Sequence, residues 1–185
     1  MALTEVIIAG FGGQGVLLAG TLIAQAAVEQ GLYTTWFPSY GAEVRGGTAN
    51  ATVIVSDDEI GSPLSFNPNA LVALNGPSLD RFVTRVVSGG IIIANSSIIS
   101  QNKEYRIKPY FVPVTNIADK EISDVRTANM VAVGALIKAL EMHRYDASCL
   151  SLKSVLFACE EVFVSKPQFI EINKKAVQVG YDFLN

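Results

Sequence analysis

The chain has 185 residues, half of them hydrophobic and only 17% charged, with a formal net charge of -3 and a pI near 5.2. This is the size of one domain, so residues 1–185 are expected to share a single core; so charge-poor a surface predicts a subunit interface, and the acidic balance without a Lys/Arg run excludes non-specific nucleic-acid binding. Cys149 and Cys159 with His143 as sole histidine are too few for an iron–sulfur cluster or a structural zinc site, and a reducing cytoplasm is expected.

In chain order, Glu5–Ala9 reads as a short buried strand ending in glycine. Apolar residues from Val16 to Ala27 recur at helical spacing, so Gly15–Gln30 is predicted as a helix stopped by Gly31. Residues 6–28 carry no charge and are nominally long enough to cross a bilayer, but five glycines interrupt them and no basic flank precedes them, so no membrane span or signal peptide is expected. Tyr33–Phe37 reads as a second strand, Pro38–Gly47 as a turn-rich loop and Thr48–Val55 as a third strand. Ala70–Leu74 is a fourth, followed by a helix opening at Asn75-Gly-Pro77 and running towards Arg85. Ile91–Ala94 and Tyr110–Val114 are further strands; Thr127–Met142, Leu150–Phe163 and Phe169–Leu184 are helices. This alternation predicts a Rossmann-like fold, an open, mainly parallel sheet with helices on both faces.

Gly10-Phe-Gly12-Gly13-Gln14-Gly15 has the G-x-G-x-x-G spacing between a strand and a helix. Such a turn lets backbone approach a phosphate or carboxylate at a helix start, or serves only tight helix–sheet packing. Where a dinucleotide site needs a carboxylate at the end of the second strand, the chain has Trp36-Phe37-Pro38, so the NAD(P) fingerprint is incomplete. The segment from Trp36 to Asn50 concentrates aromatic, hydroxyl, charged and amide groups with glycine. It reads either as a ligand-binding loop, with Arg45 forking onto an anion and Tyr40 stacking, or as an ordered interface loop with Arg45 paired to Glu43. Asn75, Asn95-Ser96-Ser97 and Arg126–Asn129 follow strands or open a helix, where they line the same edge or act as caps. His143 beside Arg144 reads as a helix-end cation, and Cys159 beside Glu160 and Glu161 lacks the basic neighbour a nucleophile needs.

GFGGQGVLLAG, FPSYGAEVRGGTAN, ALNGPSLD, NSS and ANMVAVGALI, in this order, resemble the gamma domain of the 2-oxoacid:ferredoxin oxidoreductases along nearly the whole chain, weakening around 101–108 and in the final helices. The resemblance implies a cytoplasmic subunit of a complex that oxidatively decarboxylates a 2-oxoacid to an acyl-CoA. Thiamine diphosphate, magnesium and iron–sulfur clusters would sit in alpha and beta subunits or a ferredoxin-like delta subunit, with ferredoxin as acceptor. This chain would give assembly contacts and part of a coenzyme A site at Gly12, Gly13, Gln14, Gly15, Ser39, Tyr40, Arg45, Thr48, Asn50 and Asn75, holding no catalytic residue. Among substrates, 2-oxoglutarate or a branched-chain oxoacid is expected, with an indolepyruvate-type small subunit as the nearest alternative. A purely structural module and a free-standing nucleotide-binding oxidoreductase are the readings from other classes.

Overall fold

The computed structural model describes residues 3–40, 47–143 and 150–184. Six strands form one sheet in the order β2-β3-β1-β4-β5-β6. They are β1 (Leu3–Phe11), β2 (Tyr33–Tyr40), β3 (Thr48–Ser56), β4 (Ala70–Ala73), β5 (Ile91–Asn95) and β6 (Tyr110–Val112). The pairs β1–β4, β4–β5 and β5–β6 are parallel, whereas β3 lies antiparallel between β1 and β2. The mainly parallel sheet is therefore present, but β2 is an edge strand rather than the neighbour of β1. A crossover helix can deliver the next strand parallel; the chain then returns as a hairpin and β3 takes the inner place.

The helices α1 (Val16–Glu29), α4 (Ala128–Met142), α5 (Leu152–Val162) and α6 (Ile170–Asp182) pack on one face, with Val6, Ile8, Val72 and Ile93 of the sheet. Leu22 and Ile23 of α1 are fully buried there, each stabilising the fold by about 2 kcal/mol relative to exposure. On the other face, Leu79 and Phe82 of α2 (Gly76–Phe82) cover Ile7, Ala9, Leu71 and Ala73, helped by Ile99, Tyr105 and Ile107 from the connection between β5 and β6. Helices do occupy both faces, unequally: the hairpin removes one crossover, and the β5–β6 crossover is an irregular segment of turns and bends rather than a helix.

Two boundaries near the site differ from expectation, and one packing feature was not foreseen. β2 continues past Pro38 to Tyr40, since an edge strand tolerates a residue with no N–H to donate. β6 stops at Val112, and Pro113 leads into a short helix, α3 (Val114–Ile117), then a π-turn over Ala118–Ile122 that ends at left-handed Ser123 (φ 63°). The α4–α6 crossing brings backbones into direct contact: a Cβ on Gly134 would lie 1.9 Å from the Val177 carbonyl oxygen, and one on Gly180 would lie 2.0 Å from that of Val131. Neither glycine carried a role in the sequence reading.

Candidate functional site

The glycine turn sits where β1 ends and α1 begins, at the carboxyl edge of the parallel strands. Gly12 N–H donates to the Gly47 carbonyl at 2.9 Å, tying the turn to the start of β3. Gly13 (φ 99°) and Gly15 (φ 71°) occupy positive-φ conformations. Gly15 is doubly constrained, because a Cβ there would stand 2.8 Å from Asn129 Cγ, whereas one on Gly13 would meet nothing within 4 Å. The turn is therefore closed on the α4 side and open at Gly13. Gly15 is the N-cap of the 14-residue α1 and supplies no side-chain cap, so the helix start relies on other acceptors for its amides.

Gln14 braces this edge. Its Oε1 accepts from Phe11 N–H at 2.7 Å and from Asn75 Nδ2 at 2.8 Å, while Nε2 donates to the Leu74 carbonyl at 3.3 Å. Asn75, 2% exposed, caps α2 by accepting from Ser78 N–H at 2.9 Å. Both side chains, candidates for ligand contact, thus spend hydrogen bonds within the chain; for Asn75 the capping alternative is the one observed. Asn95, also buried, donates to the Leu74 carbonyl and to Thr115 Oγ1 at 2.9 Å, and its Oδ1 accepts from Ser97 N–H. Asn129 donates to the Gly15 carbonyl at 3.0 Å, leaving its buried Oδ1 without a partner.

A cavity of about 350 Å³ opens against this framework, lined among others by Gly13, Gln14, Asn95, Thr115, Arg126 and Ala128. It joins the starts of α1 and α4, two helix ends whose partial positive charge favours an anion. Arg126 at its rim is largely exposed and paired to Asp124 at 2.6 Å, and its hydrogen bonds hold the Asp124 carboxyl below the usual carboxylate range. Thr115 and Asp124 were missed in the sequence, since they belong to the α3 and π-turn region, where no element was read between Val114 and Arg126. A second cavity of about 580 Å³ lies across the turn, between Gly12, Gly13, Gly15, Val16 and Tyr40.

The strand period separates the remaining candidates. Tyr40 pairs with Ala49 on the α1 side, whereas Ser39 pairs with Asn50, itself opposite Ala9, on the α2 side. Thr48, opposite Phe11, is exposed at the strand end. Tyr40 thus joins the glycine turn, while Ser39 and Asn50 face away from it. Arg45 and Glu43 lie outside the described residues, as does Cys149. Cys159 is buried in α5, and burial pushes its thiol up to about 12 against the opposing charge of nearby Lys174. His143 ends α4, with Nε2 2.8 Å from the Tyr110 hydroxyl. Among the described residues no group of His, Cys, Asp and Glu could hold a metal ion, and no helix is long and apolar enough to cross a membrane.

The model of the pyruvate ferredoxin/flavodoxin oxidoreductase family matches residues 5–183. The chain is 39% identical, over 97% of its length, to ketoisovalerate oxidoreductase subunit VorA of Methanothermobacter marburgensis, but spans only 36% of that protein. It is 38% identical to 2-oxoglutarate synthase subunit KorC of the same organism, over 73% of this chain and 76% of KorC. In three dimensions it resembles the keto/oxoacid ferredoxin oxidoreductase gamma subunit of Geobacter sulfurreducens, with a TM-score of 0.79 at 28% identity, covering 97% of this chain and 96% of that one. It also shares its fold with 32% of a 2-oxoglutarate:ferredoxin oxidoreductase chain from Magnetococcus marinus that has coenzyme A bound, with a TM-score of 0.81 at 23% identity over all of this chain.

Proposed function

The chain belongs to the pyruvate ferredoxin/flavodoxin oxidoreductase family, and from that premise we propose that it is the gamma-type subunit of a complex converting a 2-oxoacid to an acyl-CoA with electrons passed to ferredoxin. The observation that carries this reading is the match over residues 5–183, which spans every element of the sheet and includes the glycine turn. The substrate is a branched-chain oxoacid or 2-oxoglutarate, in keeping with the VorA and KorC similarities, and is selected by the partner subunits. Thiamine-binding alpha and beta subunits are its partners, with a ferredoxin-like delta subunit where clusters are carried separately, and the complex is cytoplasmic.

Part of coenzyme A fits the glycine turn, because the space beside Gly13 is open and the start of α1 has no side-chain cap. Coenzyme A, when bound, supplies the thiol that takes up the acyl group. This chain's share is to hold the diphosphate: α1 amides donate to it, Gly13 leaves it room, Tyr40 stands at the adjoining cavity, and Arg45 supplies charge. The internal bracing by Gln14 and Asn75 favours a second reading, in which the turn is purely structural and the chain contributes only assembly contacts.

Anaerobic purification of the tagged chain from its host, with mass spectrometry and a coenzyme A-dependent dye-reduction assay, tests the assembly. Co-purified thiamine-binding subunits with 2-oxoacid activity are expected; a lone, inactive chain refutes it. Gly13→Asp and Arg45→Ala then separate the two readings. Weakened coenzyme A affinity with retained 2-oxoacid decarboxylation assigns part of the coenzyme site to this chain, and unchanged affinity leaves the structural reading.

A further inference from the structure

A third cavity lies at the opposite, amino-terminal edge of the sheet. There Gly89 and Gly90 lead into β5, and Lys108 and Pro109 lead into β6. The cavity has a volume of about 720 Å³, within the range that holds a drug-sized or nucleotide-sized molecule. Its charge is unlike that of the molecule as a whole. The protein carries a net charge of -3, yet among the described residues the charged side chains lining this cavity are Arg106 and Lys108, with no carboxylate.

The cations have different constraints. Arg106 and Lys108 are both exposed, and Arg106 spends one donor on the Val86 carbonyl at 2.5 Å, which leaves Lys108 the freer of the two to move. α4 directs its carboxyl end to this edge, contributing a partial negative charge of about half a unit, less than either full cation. Most of the remaining lining, including Ile107, Tyr110, Phe111 and Leu184, is apolar or aromatic. Tyr110 is half-buried, its hydroxyl 2.8 Å from His143 Nε2 and its ring edge-to-face with the imidazole at 85° and 6.0 Å, so the phenol ring is fixed before any ligand arrives. Gly89 (φ 78°), where an added Cβ would meet nothing within 4 Å, leaves the rim open to close approach.

We infer that this cavity binds a small organic phosphate carrying a planar ring, of mononucleotide size, with its phosphate on the side of Lys108 and Arg106 and its ring against Tyr110. The site is independent of the glycine turn, which lies at the other end of the strands. It therefore does not rest on the coenzyme A reading.

The test is calorimetric titration of the full-length chain at low ionic strength with adenosine 5′-phosphate, adenosine and inorganic phosphate as probes. Adenosine 5′-phosphate is expected to bind at least about tenfold more tightly than either fragment, as the cations and the aromatic wall act together. Lys108→Glu, an exposed substitution whose fold is checked by circular dichroism, is expected to weaken adenosine 5′-phosphate by about tenfold or more and to leave adenosine unchanged; Lys108→Ala gives the same ranking with a smaller loss. No binding of adenosine 5′-phosphate at millimolar concentration overturns the inference. So does equal binding of adenosine and its phosphate, or binding undiminished by Lys108→Glu, which would put the phosphate elsewhere.

Discussion

Gly134→Ala tests the tightest contact in the fold. An added Cβ would lie 1.9 Å from the Val177 carbonyl oxygen and 2.7 Å from Tyr181 N, and both are backbone atoms of α6 that no rotamer change can move. An ordinary carbon–oxygen contact is about 3.3 Å, so α4 and α6 must part locally by roughly 1.4 Å. Overpacking of this kind costs up to about 3 kcal/mol, and the better helix propensity of alanine returns about 1 kcal/mol. The net loss is about 2 kcal/mol, which in a domain of this length lowers the melting temperature by roughly 4–8 °C. Gly180→Ala meets the reciprocal contact with Val131 O and should cost about the same. One separation of the helices accommodates both methyl groups, so the double variant should be less destabilised than the sum of the singles. Chemical and thermal unfolding followed by circular dichroism measure all three. Gly61→Ala, with open space around its Cβ, is the control and should shift stability by less than about 0.5 kcal/mol. A Gly134→Ala protein as stable as the parent, or a strictly additive double variant, would refute the close crossing.

Ser123→Gly should stabilise the chain by up to about 1 kcal/mol, because serine pays for its left-handed conformation at the end of the π-turn and glycine does not; a destabilised variant in the same unfolding assay would contradict this. Asp124 has a folded-state pKa depressed mainly by hydrogen bonds from Arg126, so its stabilising contribution is present above the ordinary carboxylate range and is lost as pH falls through the depressed value. Asp124→Asn should therefore flatten the acid side of the stability–pH curve and leave its shape above pH ~6 unchanged. Cys159, buried with its thiol raised to about 12, should resist iodoacetamide at pH 8 in the native protein and react once denaturant is added. Mass spectrometry of a Cys149→Ser background isolates that site, and rapid native labelling would contradict the burial.

The local signals in this sequence were strong where physics is local. Runs such as Ile91–Ala94 are buried on both faces and therefore read as continuous apolar strands, and Gly31 and Pro77 punctuate helices in positions that suit their own backbone preferences. The glycine turn was equally legible, since Gly13 and Gly15 do take positive φ between a strand and a helix. Tertiary structure decided the rest. Strand order follows from long-range pairing, so nothing near Thr48–Ser56 announces that β3 would slip between β1 and β2. The two-residue period of the hairpin then sent Tyr40 to the glycine turn and Ser39 with Asn50 to the opposite face, dividing a segment that in one dimension looked like a single loop. Whether an amide side chain braces or binds depends on partners more than sixty positions away, as for Gln14 with Asn75, and Asn129 reaches Gly15 across 114 residues. Gly134 and Gly180 make the same point for packing: each is a mildly unfavourable helix residue in sequence, and only the crossing of α4 over α6 makes the missing side chain a requirement.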